Sequence, residues 1–457
     1  MARKAATVFS CTACGAQSPQ WIGRCPECGA WSTLVEERSA DAPPRGGAAS
    51  ASLATSSSSG AVRLSDVAAA AVPRIPTGIG DMDRVLGGGL VPGSVVLVGG
   101  EPGIGKSTLL LQVAARLSER LGSVLYVSAE ESAQQVKMRA DRLNASAPGL
   151  FLLPETSLET ILEAAKAREF GAIVVDSIQT ISSSESPAAA GSVTQVRACA
   201  SRLQGLAKTT GVPVFLIGHV TKDGTLAGPK TLEHLVDAVL SFEGERFHAH
   251  RVVRALKNRF GPVHELGIFE MTGAGLVQVA NASALYLGSG AGARPGSVVL
   301  GGVEGTRPLL LEVQALTVEA KYGSPRRTAI GFDGTRLALL LAVLERHGDV
   351  KLSSYDVFLN VAGGAESAEP AADLAVAAAV AGSFRSRALP SGTVVFGEVG
   401  LLGEVRAVSD AALRLKEAVS LGFRSALIPA DNAGEAAAFP DVAVVPLRSV
   451  EELLART

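Results

Sequence analysis

Val95 to Thr108 reads Val-Val-Leu-Val-Gly-Gly-Glu-Pro-Gly-Ile-Gly-Lys-Ser-Thr, an apolar run emptying into a glycine-rich loop. Within it, Gly100, Glu101, Pro102, Gly103, Ile104, Gly105, Lys106, Ser107 and Thr108 have the spacing of a phosphate-binding loop. The glycines permit a tight turn that aims successive backbone N–H groups at one point, and a helix starting near Lys106 adds its positive end. Lys106 can reach the β- and γ-phosphates and the Ser107 hydroxyl can ligate Mg²⁺, so the chemistry expected is nucleotide hydrolysis, with ATP and Mg²⁺ as cofactors.

Hydrolysis also needs a carboxylate for the metal and a base for water. The apolar run Ala172–Val175 ends in Asp176, which is expected to hold Mg²⁺ together with Ser107. Another run, Val124–Val127, leads to Ser128-Ala129-Glu130-Glu131; Glu130 is expected to orient the attacking water, with Glu131 as the alternative. Acidic residues there also suit the first turn of a helix. Lys257-Asn258-Arg259-Phe260-Gly261 follows the strand-like run Val252–Leu256. Lys257 and Arg259, two residues apart on an extended segment, share a face and are expected to reach a phosphate jointly, in this subunit or a neighbour. The plainer reading is an exposed hairpin end.

Four of the five cysteines form two pairs, Cys11-Thr-Ala-Cys14 and Cys25-Pro-Glu-Cys28, each followed by glycine. Four thiolates at this spacing suit tetrahedral Zn²⁺, and so short a segment needs the metal to fold. Disulfides would require an oxidising compartment, and no apolar signal core follows Arg3 and Lys4. Cys199 falls in a helical pattern with Val196 and Leu203 and reads as core.

These groups must be positioned by elements that the rest of the chain supplies. With 457 residues, 47% hydrophobic and 19% charged, the chain is expected to be globular and to hold two or three domains. A net charge of −2 excludes an overall basic footprint, so any nucleic-acid contact must come from local patches. No apolar run reaches the roughly 18 residues of a membrane span, and the expected location is cytoplasmic. Four regions are expected: a zinc module at 1–35, a flexible Ala/Ser/Gly/Pro linker at 36–60, an ATPase domain at 61–276 and a separate unit at 277–457. In the ATPase domain short β-branched runs (Val95–Val98, Val124–Val127, Ile173–Val175, Val214–Ile217, Val239–Phe242) alternate with helical stretches such as Leu109–Arg120 and Leu158–Glu169. That pattern predicts an α/β fold built on a mostly parallel sheet. The last unit is expected to be α+β, with strands at 298–300, 309–318, 394–396 and 426–429 and helices at 336–346, 370–385 and 409–421.

Taken in order, the paired cysteines, Gly-Gly-Glu-Pro-Gly-Ile-Gly-Lys-Ser-Thr, Tyr-Val-Ser-Ala-Glu-Glu-Ser, Val-Val-Asp-Ser-Ile-Gln-Thr and Lys-Asn-Arg-Phe-Gly resemble the bacterial RadA (Sms) DNA repair family over essentially the whole chain. The resemblance implies a RecA-like P-loop core in a homohexameric ring, similar to replicative helicases. It implies ATP hydrolysis coupled to movement on single-stranded or branched DNA, branch migration of recombination intermediates, and the recombinase RecA as a partner. Lys257 and Arg259 would then act in trans. The alternative is a non-motor protein that loads or anneals strands in an ATP-dependent way. Ring motors place loops in a central channel, and Lys222 and Lys230 in the segment 221–230 are candidates for phosphate contact.

The last 180 or so residues resemble the proteolytic domain of Lon, through Asp356–Val361, Glu369-Pro370-Ala371-Ala372-Asp373 and Gly397–Val405. The serine and lysine of that family's dyad fall on Ala371 and Ala412 here, and alanine offers neither nucleophile nor base. Lys416, one turn beyond, has no serine to activate. The resemblance therefore implies an S5-like scaffold for ring assembly. Lys321, Arg326 and Arg327 form its densest basic cluster and are further candidates for DNA contact.

Overall fold

A computed structural model describes residues 7–11, 17–18, 20–26, 29, 31, 34–38, 73–219, 230–244, 250–288, 290–321 and 324–457. Cys14, Cys28, Lys222 and residues 39–60 of the linker lie outside them, and Lys230 is described by its backbone alone. The chain divides into two compact units, Met1–Val279 and Ala280–Thr457.

At the amino terminus β1 (Thr7–Cys11) pairs antiparallel with β2 (Gln17–Ser18) and β3 (Leu34–Arg38), so strand pairing continues three residues into the stretch read as linker. Cys11, Cys25 and Leu34 are buried, with Phe9 packed against them. So small an apolar cluster cannot offset the entropy of ordering the segment, which is why zinc would be needed to fold it.

After α1 (Gly80–Val85), β4 (Val95–Gly100) and α2 (Lys106–Leu121) flank the phosphate loop. Then come β5 (Val124–Ser128), α3 (Ala133–Arg142), β6 (Leu150–Leu153), α4 (Leu158–Ala167), β7 (Ala172–Asp176), α5 (Val193–Thr210), β8 (Val214–His219), α6 (Lys230–Leu235) and β9 (Ala238–Glu243). An antiparallel meander, β10 (His250–Asn258), β11 (Leu266–Thr272) and β12 (Gly275–Gln278), extends the sheet. Its order is β12-β11-β10-β9-β4-β8-β7-β5-β6, with every pairing from β9 to β6 parallel. The sheet is therefore mostly parallel, as the alternation predicted.

Strict side-chain alternation explains why both faces are dry. Val96, Val98, Tyr126, Val174, Phe215 and Leu240 turn to one side and pack with Met82 of α1, Leu109 and Leu110 of α2 and Val136 of α3. Val95, Leu97, Leu125, Val127, Val175 and Leu216 turn to the other, against Ile161 of α4 and Val196, Cys199 and Leu203 of α5. Ser132, Ser157 and Ser192 cap α3, α4 and α5, each accepting a backbone N–H from the residue three ahead. No helix among the described residues is long and apolar enough to cross a membrane.

The second unit begins with α7 (Ser283–Tyr286) and the hairpin β13 (Ser297–Glu304) and β14 (Arg307–Glu319). Further along lie β15 (Arg327–Ile330), α8 (Gly334–Gly348), β16 (Tyr355–Val361), α9 (Asp373–Arg385), β17 (Thr393–Val395) and the small hairpin β18 (Glu398–Val399) and β19 (Val405–Arg406). The chain closes with α10 (Ala411–Ser420), β20 (Ser425–Pro429), α11 (Ala433–Ala436), β21 (Ala443–Leu447) and α12 (Val450–Leu454). The mixed sheet runs β15-β16-β14-β13-β17-β20-β21. Helix α9 is buried from Asp373 to Gly382, which its alanine-rich sequence permits.

A charged pair knits this unit. The Arg414 guanidinium, 2% exposed, donates to both Glu369 carboxylate oxygens (3.0 and 2.7 Å) and to the Gly301 carbonyl at 2.7 Å, over the Phe396 ring. Removing one partner of a buried pair strands the other. Arg414→Ala is expected to cost about 3 kcal/mol, read as loss of amide-exchange protection across β13 and α10 in the full chain, with protection in the ATPase sheet unchanged.

Candidate nucleotide site and its distant cations

Parallel register carries the sequence-predicted residues to the carboxyl ends of the sheet's inner strands. Gly100 lies beside His219 and Ser128 beside Asp176. Lys106 opens α2 and is 4% exposed. Its amine donates to the Gly100 and Glu101 carbonyls, each at 2.8 Å, so the loop cradles its own lysine. Burial pulls the amine down to about 8, against the attraction of Asp176, Glu130 and Glu101. Gly103 and Gly105 take φ of 78° and 120°, a region closed to most side chains, so glycine is required at both.

Asp176, 7% exposed, accepts the Tyr126 hydroxyl at 2.7 Å, and its peptide bond to Ser177 is cis. Burial first, then the Asp176 carboxylate, holds the Tyr126 phenol well above its ordinary range, so it stays a donor. Glu130 accepts from the Ser177 hydroxyl and lies 3.2 Å from His219 Nε2. The His219 hydrogen bond chiefly, with the Ser177 bond and Lys106 adding to it, keeps the Glu130 carboxyl below its usual value despite partial burial. Glu131 instead pairs with Arg139 of α3. Of the two carboxylates offered by the sequence, only Glu130 is tied into the Lys106–Asp176 group. The donor set fits its groups: hydroxyl and carboxylate oxygens suit Mg²⁺, and buried Cys11 and Cys25 suit zinc.

Lys257 and Arg259 do not join this site. The Lys257 amine donates to the carbonyls of Glu233 and, at 2.9 Å, Val236. Arg259 pairs with Asp237 at 3.1 Å, and the second Asp237 oxygen accepts the Val95 N–H at 3.0 Å. Val95 begins β4 and Gly100 ends it, a separation of roughly 17 Å at about 3.3 Å per residue. Both cations therefore sit at the opposite end of the central strand from the phosphate loop. A register shift between Ala255 and Lys257 precedes them, which the simple two-residue alternation did not foresee.

Sequence reasoning missed Arg251 at the near end of β10. It is 9% exposed, donates Nε to the Ile104 carbonyl at 3.2 Å, and lines a cavity of about 330 Å³ with Glu101, Pro102, Gly103, Ile104 and Gly244. Its burial follows from antiparallel pairing with Phe269, which no local pattern announces. In the second unit Ala371 is 2% exposed in a single turn before α9, and Ala412 lies in the first turn of α10. Lys321, Arg326 and Arg327 are all exposed. The Arg327 guanidinium also donates to the carbonyls of Tyr355 and, at 2.8 Å, Leu352.

Comparisons with known proteins bear on the amino-terminal module and the ATPase region. Residues 72–225 match the family model described as AAA domain, and residues 9–36 that described as Rubredoxin metal binding domain. "DNA repair protein RadA" of Bacillus subtilis is 49% identical over 430 residues, 94% of this chain and 93% of that protein. The Pseudomonas aeruginosa protein of the same name is 51% identical over 94% of each chain, and that of Halalkalibacterium halodurans 46% over 99% of each. Among solved structures, the flagellar accessory protein FlaH from Methanocaldococcus jannaschii aligns over 45% of this chain and 98% of that one with a TM-score of 0.36 and 19% identity, too slight a likeness to carry weight. Sustained at nearly half identity over almost the full length, the relationship places this chain in the RadA family of bacterial DNA repair proteins, ATPases that carry an amino-terminal zinc ribbon.

Proposed function

We propose that this DNA repair ATPase works as a homohexameric motor on single-stranded DNA, driving branch migration of recombination intermediates alongside the recombinase RecA. The observation that carries the reading is the remoteness of Lys257 and Arg259 from their own phosphate loop: cations so placed serve a neighbour's nucleotide in a head-to-tail ring. Within one subunit the loop N–H groups from Gly100 to Thr108 and the Lys106 amine bind the phosphates. Ser107 and Asp176 would hold Mg²⁺, which would supply positive charge to the phosphates. Glu130 takes the proton of the attacking water, and Lys257 and Arg259 from the adjacent subunit steady the transition state. Cys11, Cys14, Cys25 and Cys28 hold zinc. Lys222 and Lys230, with exposed Lys321, Arg326 and Arg327, supply sequence-tolerant phosphate contacts. With alanine at 371 and 412 the second unit has no proteolytic chemistry and serves ring assembly.

Subunit mixing tests the shared site. Glu130→Gln and Lys257→Ala hexamers are each expected to lose about 100-fold or more in turnover. Mixed hexamers should recover part of it at interfaces pairing an intact Glu130 with an intact Lys257. Proven mixed hexamers with no recovery would end the trans assignment. The lysine offers a second test. In the free protein Lys106 loses its proton near pH 8, below its ordinary 10.5, and phosphate raises it again. Binding a non-hydrolysable ATP analogue at pH 8.5 should therefore take up a proton, and at pH 6.5 this lysine should take up none. Titration calorimetry in buffers of different ionisation enthalpy reads the difference, and Lys106→Arg should abolish the uptake at pH 8.5.

A further inference from the structure

We propose that the zinc module carries an aromatic platform on which bases of single-stranded DNA stack. The chain has two tryptophans in 457 residues, and both lie here: Trp21 is 57% and Trp31 72% exposed, beside Ile22 at 37%. Exposure on this scale, in a module with so small a core, is costly unless the rings have an occupant.

Their presentation is fixed rather than loose. The Trp21 indole N–H donates to the Leu34 carbonyl at 3.1 Å, pinning one edge of the ring. Trp31 bridges Arg24 across an antiparallel contact, and the Arg24 guanidinium stands 5.8 Å from the Trp31 ring centroid, held by its bond to the Gly29 carbonyl at 2.9 Å. Gly23 lies between the rings: a Cβ there would sit 3.8 Å from Trp31 and 3.9 Å from Trp21. Two oriented indoles meeting over one glycine, with a guanidinium alongside, form a surface that accepts flat, electron-rich rings and a neighbouring phosphate.

Charge selects the occupant. Among the described side chains of the module Arg24 is the one Lys, Arg, Asp or Glu, and it stands against the Trp31 ring, so the local charge beside the platform is positive. A polyanion with exposed bases fits this better than an apolar peptide, and a duplex hides its bases in the stack. The proposal rests on single-stranded DNA being the load of the motor.

Both tryptophans being in the module, intrinsic fluorescence of the full-length, zinc-loaded protein reports on it alone. Saturating oligothymidylate should quench that emission, and a duplex of equal length should not. Trp21→Phe and Trp31→Phe leave one reporter each, and both reporters should respond. Trp31→Ala, with zinc content checked, should weaken binding about fivefold or more, the loss expected for one stacked base. Absent quenching with binding established by anisotropy would overturn the platform, as would equal quenching by duplex or quenching by a protein partner alone. Stimulation of ATPase by single-stranded DNA separates the two readings. Stimulation without quenching removes only the platform, and absence of both removes the load.

Discussion

Everything catalytic in the first unit depends on parallel strand register. Gly100 beside His219 and Ser128 beside Asp176 are consequences of backbone pairing, and no side chain chooses them. A slip of one residue in any of these strands would exchange the side chains packed in the two cores, spoil the fit of both, and carry its terminal polar residue away from the loop. The two dry faces, each closed by helices, make such a slip prohibitive. The apolar runs that build the sheet thus also set the geometry of the chemistry at the ends of its strands.

Those strand ends concentrate opposing charges. A lysine 4% exposed, an aspartate 7% exposed and a glutamate whose side chain is 37% exposed face one another. Each would be costly alone, and their mutual attraction and hydrogen bonds offset part of the cost. The phosphate loop is held by its own lysine on one side and by Arg251 on the other, so its open form is supported before a nucleotide arrives.

The central sheet could be read from the chain because β-branched runs and a glycine-rich loop are local signals. Strand β6 escaped notice because Leu150–Leu153 is short and only half-buried at the sheet's edge. The meander β10–β12 was seen only at Val252–Leu256, since its outer strands mix apolar, polar and glycine residues. Asp176, Glu130 and Lys106 were legible as strand ends and loop positions. The choice between Glu130 and Glu131 was not, because it turns on Arg139 eight residues away along a helix. Arg251 and Arg414 were invisible for a stronger reason. Their burial is decided by partners far off in the chain, Ile104 for one and Glu369 and Gly301 for the other.

The short helix α6 ties distant parts together in a way its length conceals. Its turn and the residue beyond supply the two carbonyls that grip the Lys257 amine. It begins at Lys230, eleven residues along the chain from His219, whose ring touches Glu130. One covalent stretch of chain thus has at one end the ring that touches Glu130 and at the other the helix that grips the Lys257 amine, so the two ends of the central strand are linked by a single short piece of backbone.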